Sequence, residues 1–179
     1  MKQVKLKDKV FEVSIPSDKI QHAITGIAHK INQDYKNKKI PLFISILNGS
    51  FMFTADLLKQ INFDCEITFL KLSSYRGTST TGSVKQLIGV NEKISGRDVI
   101  VLEDIVDTGI TLEQIIKELK KFGATSVKIT TLLLKPEAYN KDIGIDYVGM
   151  EIPNDFIVGY GLDYDGLGRN LPDIYTLKS

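Results

Sequence analysis

Three carboxylates crowd one short stretch of this chain, Val101 to Thr111, which reads VLEDIVDTGIT. Glu103 and Asp104 are adjacent, and Asp107 is followed at once by Thr108 and Gly109. A polar turn that opens a helix offers free backbone N–H groups and so suits an anion. Thr108, Gly109 and Thr111 add hydroxyls and a residue without Cβ, the makings of a small phosphate nest. The stretch has neither the Gly-Lys-Ser/Thr of a P-loop nor the G-x-G-x-x-G of a dinucleotide fold. Carboxylates beside a phosphate repel it unless something neutral or cationic lies between. Ribose hydroxyls are neutral donors that carboxylates accept, and Mg²⁺ commonly bridges carboxylates and phosphates. A phosphorylated ribose bound with Mg²⁺ satisfies every residue of the stretch.

The elements around it must hold that turn in place. DVIVLEDI reads as a buried central strand running into the acids. From Thr111 a helix follows, with Leu112, Ile115, Ile116, Leu119 and Phe122 inward, a Glu113–Lys117 pair outward and Gly123 as its stop. Thr111 and Gln114 form a capping-box pattern. An earlier helix starts at Pro16-Ser17, with Ser17 as N-cap and Ile20, Ala23, Ile24, Ile27, Ala28 and Ile31 on one face. His22 and His29 ride on it without a third ligand and read as exposed or boundary residues. PLFISIL, CEITFLKL and SVKITTLLL read as further strands, FMFTADLLKQI as a helix and VKQLIG as a short strand. Several strands are apolar throughout, which predicts an α/β fold with a parallel sheet flanked by helices on both faces. YVGMEIP, FIVGYGLD and DIYTLK read as shorter strands. The chain ends, roughly residues 1–15 and 150–179, are expected to build a small hood lobe on a single domain. In such sheets ligands bind beyond the carboxyl ends of strands, here LNGS, LSSYRG, EDIVDTGIT and LLLKPE.

The 179 residues are 42% hydrophobic, enough for a core, and the net charge of +1 gives no global attraction to nucleic acid or to an anionic membrane. The lone Cys65 excludes an internal disulfide, reads as a structural thiol and suits a reducing compartment. No apolar stretch approaches a membrane span, and the lysine-spaced start is unlike a signal peptide, so a cytoplasmic location is expected. The polar stretch Ser73 to Ser83 is long for a plain connection and reads as a functional loop.

VLEDIVDTGIT closely resembles the phosphoribosyl pyrophosphate (PRPP) signature of type I phosphoribosyltransferases, and its form Glu-Asp-x-x-Asp-Thr-Gly resembles the hypoxanthine-guanine branch. LNGSFMF, SSYRGTSTTG, the lysine of LLLKPEAY and DFIVGYGLDYDGLGRNLPDIYTL follow in that family's order, so the resemblance runs from about Val13 to Leu177. It implies the type I phosphoribosyltransferase fold. It implies that Glu103 and Asp104 bind the ribose hydroxyls and support Mg²⁺, while Asp107, Thr108, Gly109, Ile110 and Thr111 enclose the 5′-phosphate. Asp107 would also be the acid–base partner of purine N7. Leu47, Asn48 and Gly49 match the pyrophosphate loop, where the family carries a non-proline cis peptide. Asn48 stands where Lys or Arg is common. Arg169 would hold pyrophosphate, Asp163 a second Mg²⁺, and Ser74 and Tyr75 match the mobile loop. On the base side, Lys135 would donate to the 6-oxo group, Phe156 stack on the purine and Ile157 read its edge through its backbone.

The resemblance thus implies transfer of a 5-phosphoribosyl group from PRPP to N9 of hypoxanthine or guanine, with a homodimer or homotetramer as the assembly. The preference between the two bases, acceptance of xanthine and the effect of Asn48 stay open in the residues. The rival reading is a PRPP-sensing regulator of the same fold that binds nucleic acid. It needs a basic face, and only the lysines around Asn37 come near one. Adenine or orotate transferases are the alternatives within the enzyme class.

Overall fold

The computed structural model describes residues 2–73, 85–88 and 92–178. Its larger sheet has six strands: β3 (Leu42–Leu47), β4 (Glu66–Ser73), β5 (Lys85–Ile88), β6 (Asp98–Val106), β7 (Ser126–Leu134) and β8 (Tyr147–Glu151). They lie in the order β5-β4-β3-β6-β7-β8. All neighbours pair in parallel except β5, which runs antiparallel to β4. The continuous apolar runs have the cause expected of them, burial on both faces. Phe43, Ile100 and Leu102 join one core with helices α1 (Ser17–Tyr35) and α2 (Phe51–Leu58). Their immediate neighbours Leu42, Ile44, Val99 and Val101 join the other core with Leu112, Ile115 and Leu119 of α3 (Ile110–Lys121). Because β3, β4, β6 and β7 are parallel, their carboxyl ends open on one side of the sheet.

A second, antiparallel sheet is made from the two ends of the sequence: β1 (Gln3–Leu6), β2 (Lys9–Ile15), β9 (Ile157–Val158) and β10 (Ile174–Leu177), in the order β1-β2-β10-β9. It closes over its own small core of Phe11, Val158 and Tyr175. Residues 147–151, at the start of the segment read as hood from about residue 150, instead form the edge strand of the larger sheet.

Several local expectations differ from the structure. Ser17 does not cap α1; Pro16 stands at the N-cap, and the free N–H of Ser17 donates to Asp173 Oδ1 at 2.9 Å. The capping box of Thr111 and Gln114 does not form, because α3 starts at Ile110 with Gly109 as its N-cap. Glu113 pairs with Lys141 at 2.6 Å rather than with Lys117. At the far end of α3 Phe122, expected inward, is 56% exposed because it stands at the C-cap, where the helix has already ended, while Gly123 stops the helix as read. Gly123 is left-handed, and the N–H groups of Gly123 and Ala124 donate to Lys120 and Leu119, a Schellman ending.

His22 and His29 are exposed. Cys65 is partly buried just before β4, and burial pushes its thiol up, which keeps it protonated and unreactive. Among the described residues no helix is long and apolar enough to cross a membrane.

Candidate active site

The site is built first on β6, whose apolar half lies in the sheet centre and whose polar end emerges at the carboxyl edge. Glu103 is partly buried, and its Oε2 is shut from solvent with no hydrogen-bond partner among the described residues. Burial, and then the neighbouring charge of Asp104, push its carboxyl well above the usual range. Burial also pushes Asp104 up, to about 6, although backbone N–H groups and the charge of Arg169 pull the other way. Both acids are desolvated more strongly than their surroundings offset, Asp104 even with Arg169 nearby.

The turn after β6 reverses the chain through Gly109, whose φ of +78° puts it in the left-handed region. A Cβ there would fall 2.5 Å from Tyr139 Cε2, so both the backbone and its neighbour demand glycine. The helix that follows has its first amides unpaired within α3, directed at the turn that holds Thr108. Positive potential at that helix start favours an anion. Asp107 follows directly on the end of β6, ahead of the turn. Its side chain is 52% exposed, and its Oδ2 is 4.0 Å from Lys135 Nζ.

Lys135 leaves β7 with its backbone N–H on Val106 O, which keeps it in step with β6 to the strand's end. It is 8% exposed, and its ammonium donates to Asn154 Oδ1 at 3.3 Å. A buried lysine at the mouth of a cleft is a fixed donor. Asn154 was not among the residues expected from sequence; it lies 19 positions from Lys135 and nothing local points to it.

The loop after β3 carries a cis peptide between Leu47 and Asn48, as the family resemblance implied. Gly49 follows, and a Cβ on it would fall 1.6 Å from Asp104 Oδ2. Only glycine lets the loop pass so close to that carboxylate. Beneath it, Ser50 Oγ donates to Ile46 O at 2.5 Å and shares a hydrogen bond with Ser45 Oγ, which in turn meets Thr54 Oγ1, both at 2.7 Å. This buried hydroxyl chain pins the loop to the first turn of α2.

The other wall comes from residues 154–169. Phe156 keeps 46% of its surface exposed while its ring leans on Phe11 and meets Tyr164 edge-on, with centroids 6.2 and 5.9 Å away. Lys9 Nζ stands over both Phe156 and Tyr164, 5.5 and 4.8 Å from their centroids. Ile157 begins β9, paired with Thr176. Asp163 Oδ1 is 2.6 Å from Arg169 Nη2, and its other oxygen accepts the Gly166 N–H. Arg169 Nη1 donates to Gly161 O at 2.6 Å.

Asp107 therefore meets Lys135, and Asp104 feels both Arg169 and Asp163. Glu103, Asp104 and Asp163 do not form a cage by themselves: among the described residues no three His, Cys, Asp or Glu side chains converge on one point. Ser74 and Tyr75, and the rest of the polar stretch after Ser73, lie outside the described residues.

The chain is similar to known proteins in sequence and fold. The Phosphoribosyl transferase domain family matches residues 16–165. The hypoxanthine-guanine phosphoribosyltransferase of Staphylococcus epidermidis is 43% identical over 168 residues, 93% of either chain. The Bifunctional protein TilS/HprT of Listeria monocytogenes is 41% identical over 174 residues, 97% of this chain; the chain spans 27% of the length of that relative. The crystal structure of a hypoxanthine phosphoribosyltransferase from Staphylococcus aureus superposes with a TM-score of 0.87 at 42% identity, covering 93% of this chain and 91% of that one. By the family match over residues 16–165 and by relatives above 40% identity along nearly their whole length, the chain belongs to the hypoxanthine-guanine branch of the phosphoribosyltransferase family.

Proposed function

We propose that the chain transfers the 5-phosphoribosyl group of PRPP to N9 of hypoxanthine or guanine, releasing IMP or GMP and pyrophosphate. The observation that carries this reading is the pairing of opposites at one sheet edge. Desolvation pushes two adjacent acids up at the end of β6, and 4.0 Å separates Asp107 from a buried lysine across the base side of the turn.

Amides from Thr108 to Thr111 hold the 5′-phosphate at the start of α3. Glu103 and Asp104 accept the ribose hydroxyls, and their negative charge favours the positive sugar that forms as the C1′–O bond breaks. Lys135 donates to the 6-oxo group and cannot accept from an amino group, which disfavours adenine. Phe156 offers its open ring face to the purine, and the backbone of Ile157 reads the base edge. Asp107 takes the proton from N7 as N9 becomes the nucleophile. Arg169 and the Leu47–Gly49 loop meet the negative charge of departing pyrophosphate. Ser74 and Tyr75 belong to the loop that excludes water.

The orphaned Glu103 Oε2 and the raised Asp104 carboxyl fit a divalent cation. Mg²⁺ ordinarily takes only one or two carboxylates and completes its shell with water and substrate phosphates, so no full protein cage is needed. Glu103 and Asp104 would hold one such ion and Asp163 a second. When bound, Mg²⁺ supplies positive charge to the pyrophosphate leaving group. A cytoplasmic location, a homodimer or homotetramer, and a single domain with a hood made by the second sheet complete the proposal. Light scattering of the purified chain tests the assembly.

One spectrophotometric assay decides the activity: PRPP and Mg²⁺ with adenine, guanine, hypoxanthine or xanthine. Turnover with guanine and hypoxanthine and none with adenine is expected. Activity with no base, together with PRPP binding, would replace this reading by a PRPP-sensing regulator.

A further inference from the structure

We infer that Tyr160 is a positioning residue: its hydroxyl clasps Asp56 and thereby sets the spacing between the two arms that meet pyrophosphate. This rests on the reading above, in which those arms are the Leu47–Gly49 loop and Arg169.

Tyr160 lies between two left-handed glycines and is itself left-handed, with φ of +47°. A residue with a side chain is disfavoured in that conformation, so the side chain must be held by what it reaches. It reaches the core beside α1 and α2, where it is 3% exposed. There its hydroxyl donates to Asp56 Oδ2 at 2.7 Å. Asp56 also accepts from Gln21 Nε2 of α1 at 2.8 Å and from Lys59 Nζ at 2.9 Å. Burial alone would raise the Asp56 carboxyl, yet the bonds from Tyr160, Lys59 and Gln21 bring it below its ordinary value. The carboxylate is therefore a charged anchor shared by three segments.

The anchor stands on α2, the helix that begins two residues after Gly49 and is pinned to the loop by Ser45, Ser50 and Thr54. On its other side, Tyr160 is joined to Gly161. That residue donates its N–H to Arg169 O at 2.9 Å and accepts from Arg169 Nη1 at 2.6 Å. A Cβ on Gly161 would fall 1.9 Å from Gly49 O, so the two arms touch backbone to backbone. The path from Asp56 through Tyr160 and Gly161 to Arg169 thus runs parallel to the path from Asp56 through α2 to Gly49. Lengthening one shifts the guanidinium against the loop. The hydroxyl bonds to α2 rather than to any residue assigned to the substrates, so its effect on them is indirect.

The test is steady-state kinetics on the full chain. In Tyr160→Phe the KM for PRPP and the inhibition constant of pyrophosphate are expected to rise together by about fivefold, with the KM for guanine at saturating PRPP within about twofold of the parent. Asp56→Ala should reproduce this. Asp56→Asn, which keeps an acceptor oxygen, should stay within about twofold of the parent, and the double variant Tyr160→Phe/Asp56→Ala should be no worse than either single. If Tyr160→Phe fails to fold, the two Asp56 variants make the same comparison. A hydroxyl with a merely structural role lowers the melting temperature and leaves both constants unchanged, and that result overturns the inference. Arg169→Ala separates the two ways of failing. If it raises the PRPP constant while the clasp variants do not, the clasp is wrong and the site is right. If none of them raises it, the assignment of the two arms is wrong.

Discussion

The acids at the end of β6 and the acid of the 159–169 segment live in opposite surroundings. Glu103 and Asp104 are enclosed by the larger sheet, one oxygen has no partner at all, and both carboxyls are pushed up. Asp163 is held by Arg169 at 2.6 Å and by a backbone N–H. The first pair is a deficit that an outside group must relieve; the second is self-contained and shapes its own turn. The contrast locates where binding energy is stored. Burying a carboxylate without a partner costs stability, and the cost returns when something cationic or hydrogen-bonding arrives. The charges of Asp163 and Arg169 are matched by one another, so turning either toward a ligand gives up part of that contact.

The sharpest break in this comparison is at Asp107, the acid that belongs to neither group. Asp107→Asn should lower kcat with hypoxanthine by about 10²-fold or more while the KM for PRPP moves little; an unchanged kcat removes it from proton transfer. Next comes Arg169→Ala, which frees Asp163 and takes a cation from pyrophosphate. A rise of tens of fold in the KM for PRPP, on the order of 2 kcal/mol, is expected, with base constants nearly unaltered. Lys135→Ala should cost about tenfold in kcat/KM for guanine and hypoxanthine and relax the bias against adenine. An unaltered base profile would mean the lysine serves only the wall of the cleft.

A fourth prediction concerns stability rather than turnover. Asp104 has a folded-state value of about 6 against an ordinary 3.8. Between these values the unfolded chain has lost its proton while the folded chain keeps it, so stability falls as pH rises from about 4 through 6 and is level above. Asp104→Asn removes that penalty, on the order of 3 kcal/mol. The variant should melt several degrees higher than the parent at pH 8, with the gain shrinking as pH drops through 6, even though it loses activity. Thermal melts at several pH values would show it, and equal melting at pH 8 would mean the protein already satisfies Asp104.

Residues legible in the sequence share a local signal. The acids, the Thr-Gly turn and the start of the helix after it lie within one run of eleven residues, where residue types can be read together. The parallel sheet was legible because Leu42 to Ile44 and Val99 to Leu102 are apolar on successive positions, a pattern that only two-sided burial explains. What escaped was held by distant partners. Asn154 beside Lys135, Tyr160 on Asp56 and Asp173 at the start of α1 are contacts across 19, 104 and 156 residues. No periodicity reports such pairs. The misplaced caps of α1 and α3 have the same origin: side chains suited to local capping were present, but a carboxylate from afar and a left-handed glycine did the work.

Asp173, with β10 just beyond it, also sets an order of events in synthesis. β10 lies between β2 and β9, so a growing chain that has emerged only as far as Val158 can already pair all six strands of the larger sheet. It still lacks the middle of the second sheet and the carboxylate that receives Ser17 and Lys2. Phe11 then has no Tyr175 to pack on, and Phe156 leans on a Phe11 whose own core is unfinished. A ribosome therefore finishes the turn after β6 before the second sheet, and a chain halted at Val158 should show a formed larger sheet and a smaller one open to proteolysis.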